Sequence, residues 1–420
     1  MGSLPVSKLI QSTLVLYLIA WTISPPLQIN TIYRLAALGA AVLWFVFDMQ
    51  NNVKYEKIHY FAILFLFLVA FVALIEGKGE LSALLRPINL YMLVLAFLMA
   101  YCYKDRWQEL TPLIPIVMLM LIYFNYQTYK VVLEDPSIAR IIVRDDPEAY
   151  KYMRQGVGGY ALLYSQVCVL PIFLTWTINA LKKNLFKFAI GALWLITYVL
   201  YALNSGYTIA LVTSIVGLVI LFLYKRKSLG LAILIVSVII ALLIWLIGYN
   251  DGFRNSLLSF FDGTTVAKKI NDIYLSITTE DTADSIMVRA KRYREAITAI
   301  FQYPIVGQLW SGGGGGHSAL LDTIAKYGIF GGYIFVNIVF GFSNKLKKDE
   351  NAQKDYRIAN ATFISILMIM LLNSLPYNFV FMIVFLIPMC YEEILKWRKI
   401  DEDTLDSQPH TVNSLKLLEH

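Results

Sequence analysis

The sequence predicts an all-α polytopic integral membrane protein, with about twelve transmembrane helices and two long extracytoplasmic loops, the larger one partly helical. Two observations carry this. The 420-residue chain is 58% hydrophobic and only 15% charged, against roughly 25% charged residues in soluble folds. Its apolar residues also fall in repeated runs close to the length a bilayer demands, about 20 residues per span.

Spans are predicted over 8–24, 31–48, 59–75, 83–102, 111–128, 157–180, 188–204, 207–224, 230–249, 319–343, 357–374 and 376–396. The first, Leu9 to Ile23, reads as a retained helix because no small-residue cleavage site accompanies it. Domains follow as 1–249 for the amino-terminal spans, 250–318 for an extracytoplasmic helical loop with a glycine-rich turn, and 319–400 for the carboxy-terminal spans. Residues 401–420 form a cytoplasmic tail whose last residues, Leu418-Glu419-His420, read as a tag remnant.

Charge orients the chain. With a cytoplasmic amino terminus, the inner loops hold Lys54, Lys57, Lys104, Arg106, Lys182, Lys183, Lys187, Lys225, Arg226 and Lys227. Lys345, Lys347, Lys348, Lys354, Arg357, Lys396, Arg398 and Lys399 continue the series. The short outer loops carry almost none, the asymmetry of the positive-inside rule, so both termini are expected in the cytoplasm. The formal charge of +7 therefore speaks of topology and anionic lipid, not of nucleic acid. Cys102, Cys168 and Cys390 lie in or beside apolar runs, where cysteine acts as a small hydrophobe.

Two outer segments, about 129–156 and 250–318, are long and basic. Lys130, Arg140, Arg144, Lys151 and Arg154 stand in one; Arg254, Lys268, Lys269, Arg289, Lys291, Arg292 and Arg294 stand in the other. They suit an anionic ligand, or they balance Asp145, Asp146, Glu148, Asp281, Asp284 and Glu295 as solvated surface. Within the second, Ser285 is placed to cap a helix with Met287, Val288, Ala296, Ile297 and Ile300 at helical spacing, ended by Pro304 and Gly307. Arg289, Arg292, Tyr293 and Ala296 share one face of it, while Lys291 and Glu295 form an i, i+4 pair on another. Arg289 and Arg292 are thus better ligand candidates than Lys291, and Arg289 ranks first because Glu295 can instead pair with Arg292.

The stretch Ser311–Gly332 follows, with five consecutive glycines leading into His317. His59 belongs to the cytoplasmic end of the third span, and His410 and His420 to the tail, so His317 is the one histidine expected outside. One histidine cannot form a histidine-cluster metal site, and no cofactor is expected. Imidazole titrates near neutrality and can take a proton from a hydroxyl. Glycines can aim backbone N–H groups at an anion, and Ser318 can cap a following helix whose amino-terminal end favours negative charge. On the bare residues alone, a flexible hinge with His317 bonded to a backbone carbonyl is the simpler account, since a glycine run by itself is weak evidence of a site. Tyr150, Tyr152, Tyr160, Tyr164, Tyr293 and Tyr303 suit either sugar stacking or the aromatic belt of a membrane interface.

The order Arg289, Tyr293, Ala296, Pro304, Gly307, glycine-rich turn, His317, Leu320, Leu321 and Gly328 to Gly331 resembles the carboxy-terminal signature of the O-antigen ligase and Wzy-type polysaccharide polymerase superfamily. Asn373 with Pro376, and the large outer loop before the histidine, are similar to that family too. Ser318 stands where many members carry asparagine, and the glycine tract is longer than usual. The resemblance implies metal-independent glycosyl transfer on the outer face of a bacterial cytoplasmic membrane, from an undecaprenyl-diphosphate-linked glycan to a sugar hydroxyl. It implies His317 as base, with Arg289, Arg292, Arg154, Arg86 and Tyr293 binding diphosphate or substrate. Polymerisation of repeat units into O-antigen, capsule or exopolysaccharide is the first reading and ligase transfer to another acceptor the second. The implied partners are lipid-linked glycans, membrane lipid, a chain-length regulator and a flippase. A lipid-linked saccharide transporter and an envelope-assembly receptor are rivals of other classes.

Overall fold

The computed structural model describes residues 6–48, 54–135, 138–142, 147–223, 229–263, 265–278, 284–309, 316–341, 356–373 and 380–406. Every regular element among them is helical. In lipid this is expected, since a helix satisfies its own backbone donors and acceptors.

The helices run α1 (Val6–Ile23), α2 (Pro25–Gln28), α3 (Thr31–Asp48), α4 (Lys57–Glu76), α5 (Ile88–Cys102), α6 (Leu113–Glu134), α7 (Ile138–Ile141), α8 (Pro147–Arg154) and α9 (Tyr160–Lys183). They continue as α10 (Leu185–Asn204), α11 (Thr208–Leu223), α12 (Leu229–Tyr249), α13 (Asp251–Phe260), α14 (Thr265–Thr278), α15 (Asp284–Gln302), α16 (Ala319–Phe340), α17 (Tyr356–Leu372) and α18 (Val380–Asp406). Eleven of the predicted spans each overlap one helix, while the fourth, 83–102, is divided between a short turn of helix at Leu81–Leu85 and α5. Among the described residues, seven helices, α1, α3, α4, α6, α9, α10 and α16, are long and apolar enough to cross a membrane. Ile233–Tyr249 of α12 and α13 meet the same test together as a pair bent by 97°, while α5, α11 and α17 are shorter apolar helices.

The loops differ from expectation. The first is shortened because α6 runs on to Glu134, and it carries α7 and α8. The second holds three helices and not one: Val266 and Ile270 of α14 bury against Ile247 of α12, with Leu257 and Phe261 packed alongside. Helix α15 is already helical at Asp284, so Ser285 lies inside it instead of capping it. Helix α18 runs on to Asp406, beyond the predicted end of the last span.

Helix α9 is the hub, 78% buried over its apolar window where α3 is only 28%. It packs against α10, α11, α17 and α18, and α10 in turn packs on α6. At its centre Asn125 and Gln166 exchange amide hydrogen bonds of 2.8 and 2.7 Å, and Trp194 Nε1 donates to Gln166 Oε1 at 2.9 Å. This satisfies amides that would be costly to bury alone.

Polar contacts tie the helix ends into two sets. At the amino-terminal end, Lys8 pairs with Glu109 at 2.6 Å, Arg106 with Asp48 at 3.1 Å, and Lys187 with Glu393. Burial pushes the Tyr103 phenol up, and its oxygen accepts from Trp44 Nε1 at 3.0 Å. His59 belongs to this end; its Nδ1 accepts the Glu56 N–H at 2.9 Å as half of a capping box. At the opposite end Thr128 accepts the Gly158 N–H at 2.7 Å, Lys326 pairs with Glu76 at 2.9 Å, and His317 stands.

Candidate functional site

The site is built where α15 meets α16. Ala296 and Ala299 of α15 bury against Ala325 of α16, flanked by Ile300 and Leu321. Small side chains let the two backbones come close. Past the end of α15, the segment Pro304–Gly307 crosses α16 at Gly328, whose φ of 69° and ψ of −174° interrupt the helix. The Ile329 N–H donates to Pro304 O at 2.8 Å and the Gln308 N–H donates to Ala325 O at 2.8 Å, so groups near the interruption find partners in the crossing segment.

Two glycines make this approach. A β-carbon on Gly328 would lie 2.0 Å from Ile305 O, and one on Gly307, at φ 70°, would lie 2.4 Å from Gly328 N. No other residue fits either position without displacing backbone.

The backbone around His317 is pinned to the end of α17, whose last carbonyls have no partner in their own helix. Ser318 caps α16: its Oγ accepts the Leu321 N–H at 3.2 Å and donates to Met370 O at 3.0 Å. The Ala319 N–H donates to Asn373 O at 3.0 Å. Tyr293 donates its hydroxyl proton to Leu372 O at 2.9 Å, bringing α15 to the same helix end. Asn373 Nδ2 in turn donates to the Tyr164 hydroxyl at 2.9 Å, linking the turn to α9. Tyr164 sits in a ring cluster with Tyr160 and Tyr207 at centroid separations of 5.6 and 6.1 Å.

These bonds revise one expectation. The amino-terminal end of α16 is occupied: Asn373 O and Ser318 Oγ take two of its N–H groups, and Asp322 Oδ2 accepts the Ser318 N–H at 3.0 Å. A carboxylate is thus already in the place where an anion would profit from the helix dipole. Among the described side chains a cation stands at this turn: Arg292, whose Nη1 lies 3.9 Å from where a β-carbon on Gly316 would be, directly before the half-buried His317.

Of the sequence-predicted residues, the structure brings together His317, Arg292 and Tyr293. Arg289 lies one turn before Arg292 on α15, and its side chain is outside those described. Gly312 to Gly315 and Pro376 also lie outside the described residues, as do His410 and His420. Arg154, at the end of α8, and Arg86, after the turn Leu81–Leu85, are exposed, and among the described residues no hydrogen bond or ion pair joins either to the His317 turn. Sequence reasoning missed Asp322, although a carboxylate four residues after a capping serine is a readable signal, and Tyr207, which has none. Among the described residues no three His, Cys, Asp or Glu side chains gather as a metal site. No protein-family model and no curated protein matches the chain.

Proposed function

We propose that this chain polymerises undecaprenyl-diphosphate-linked oligosaccharide repeat units outside the bacterial cytoplasmic membrane, by metal-independent, inverting glycosyl transfer. The observation that carries the reading is the placing of the Arg292 guanidinium beside Gly316, next to His317, on a turn anchored from α15 and α17. The resemblance of Arg289 to Gly331 to the ligase and polymerase superfamily supports it. So does the distribution of Lys and Arg, which favours about twelve crossings with both termini cytoplasmic and His317 outside.

In this reaction His317 takes the proton of an acceptor sugar hydroxyl. The hydroxyl oxygen bonds to the anomeric carbon of the donor as the carbon–oxygen bond to the diphosphate breaks, and undecaprenyl diphosphate departs with the electron pair. Arg292, with Arg289 one turn away, stabilises the charge on the leaving group, for which a planar guanidinium is suited. Arg154 and Arg86 take a lesser part, in guiding the anionic substrate. Ligase transfer to a different acceptor is the second reading, since the same residues serve it. Reconstitution in liposomes with one defined lipid-linked repeat unit separates the two: a ladder of products is expected. Transfer only to a different acceptor replaces polymerase with ligase, and no transfer to any saccharide overturns both.

A further inference from the structure

A cleft flanks α15 and reaches Ala299 at the edge of its seam with α16. Lys291, Arg294, Glu295, Thr298 and Gln302 line one side of the helix by i, i+3, i+4, i+7 and i+11 spacing. With Gln308, whose N–H is fixed on Ala325 O, they border an open space of about 600 Å³. Both cations are exposed, and neither they nor Glu295 forms an ion pair with a described residue.

An apolar surface adjoins the Arg294 side of this cleft. Ile297 and Phe301 are 43% and 81% exposed, Ile305 is 75% and Val306 58% exposed. Through the Pro304–Gly307 crossing this surface continues onto Ile329 and Tyr333, 59% and 58% exposed on α16, a helix long and apolar enough to cross a membrane. Cations and amides above a lipid-facing apolar strip match an amphiphile with an anionic head.

We propose that this cleft binds the phosphate headgroup of an anionic membrane phospholipid. Lys291 and Arg294 hold the phosphate, and Gln302 and Gln308 donate to its remaining oxygens. Glu295 lowers the net charge of the cleft and accepts from a headgroup hydroxyl, which selects phosphoglycerol over phosphocholine. The acyl chains lie along Phe301, Ile305 and Ile329. Glu295 of its lining, three residues on from Arg292, neighbours it on the helix surface, and the site has no part in the reaction proposed above.

The test is the apparent Kd of the full chain in neutral detergent for short-chain phosphatidylglycerol, read from the shift in unfolding temperature. Each basic residue near an anionic lipid head contributes on the order of a fivefold effect, so Lys291→Gln with Arg294→Gln is expected to weaken binding roughly thirtyfold. Lys130→Gln with Lys151→Gln, and His317→Ala, are expected to leave it unchanged. Equal binding by the wild type and the Lys291/Arg294 variant overturns the proposal. So does equal binding of short-chain phosphatidylcholine, or saturation of the site by inorganic phosphate at the same concentration. Displacement of phosphatidylglycerol by a polyprenyl diphosphate at far lower concentration overturns the assignment to bulk phospholipid.

Discussion

Gly307 and Gly328 meet back to back. Twenty-one positions apart in sequence, they put the turn segment after α15 against the interruption in α16, with a β-carbon on Gly307 only 2.4 Å from Gly328 N. The crossing holds α15, and with it Arg292, over the turn that carries His317.

Alanine at Gly328 therefore strains a left-handed backbone position and drives a methyl group into Ile305 O at 2.0 Å. Strain of this kind costs on the order of 1–3 kcal/mol, and overpacking about as much again. Gly328→Ala is expected to lower the unfolding temperature in detergent sharply. Gly39→Ala, where nothing lies within 4 Å, is expected to leave it unchanged or raise it. Equal behaviour of the two would show that the crossing does not hold.

His317→Ala is expected to abolish polymer growth while leaving unfolding nearly unchanged. His59→Ala removes half of a capping box and is expected to do the reverse, losing about 0.5–2 kcal/mol of stability with turnover kept. A His317→Ala protein that elongates at the normal rate would remove the proposed base.

Arg292→Ala is expected to slow turnover by roughly a hundredfold to a thousandfold, the loss of one charge-stabilising donor in such sites being about 2.7–4 kcal/mol. Arg289→Ala should also exceed Lys291→Ala, which lines the cleft flanking α15. Equal losses for Arg292 and Lys291 in reconstituted turnover would undo the assignment by helix face.

Tyr293→Phe deletes the bond to Leu372 O. The expected stability loss is small, about 0.5–1.5 kcal/mol. Turnover should fall in greater proportion if that bond positions Arg292 over the turn, so kinetics and unfolding measured side by side decide whether Tyr293 positions the site or merely steadies it.

Much of the fold was legible beforehand. Apolar runs such as Lys57–Glu76 declare themselves, because a bilayer tolerates only a backbone that bonds internally. The helical loops did not, since the partners of Val266 and Ile270 lie on α12 and within α13, and amphipathic spacing names a buried face without naming what buries it. At the site, spacing alone put Arg292, Tyr293 and Ala296 on one side of α15. It could not foresee that Asn373 and Asp322 occupy the start of α16, because which neighbour fills an open helix end depends on chain far away.

By itself the sequence determined that this is a helical membrane protein, where its helices run, and that His317 follows a glycine turn at the head of one of them. Tertiary structure alone decided which cation stands beside that turn and which faces a separate cleft. The reason is physical: periodicity along a chain sets which residues share a helix face, but only the close approach of Gly307 to Gly328 sets how that face is turned.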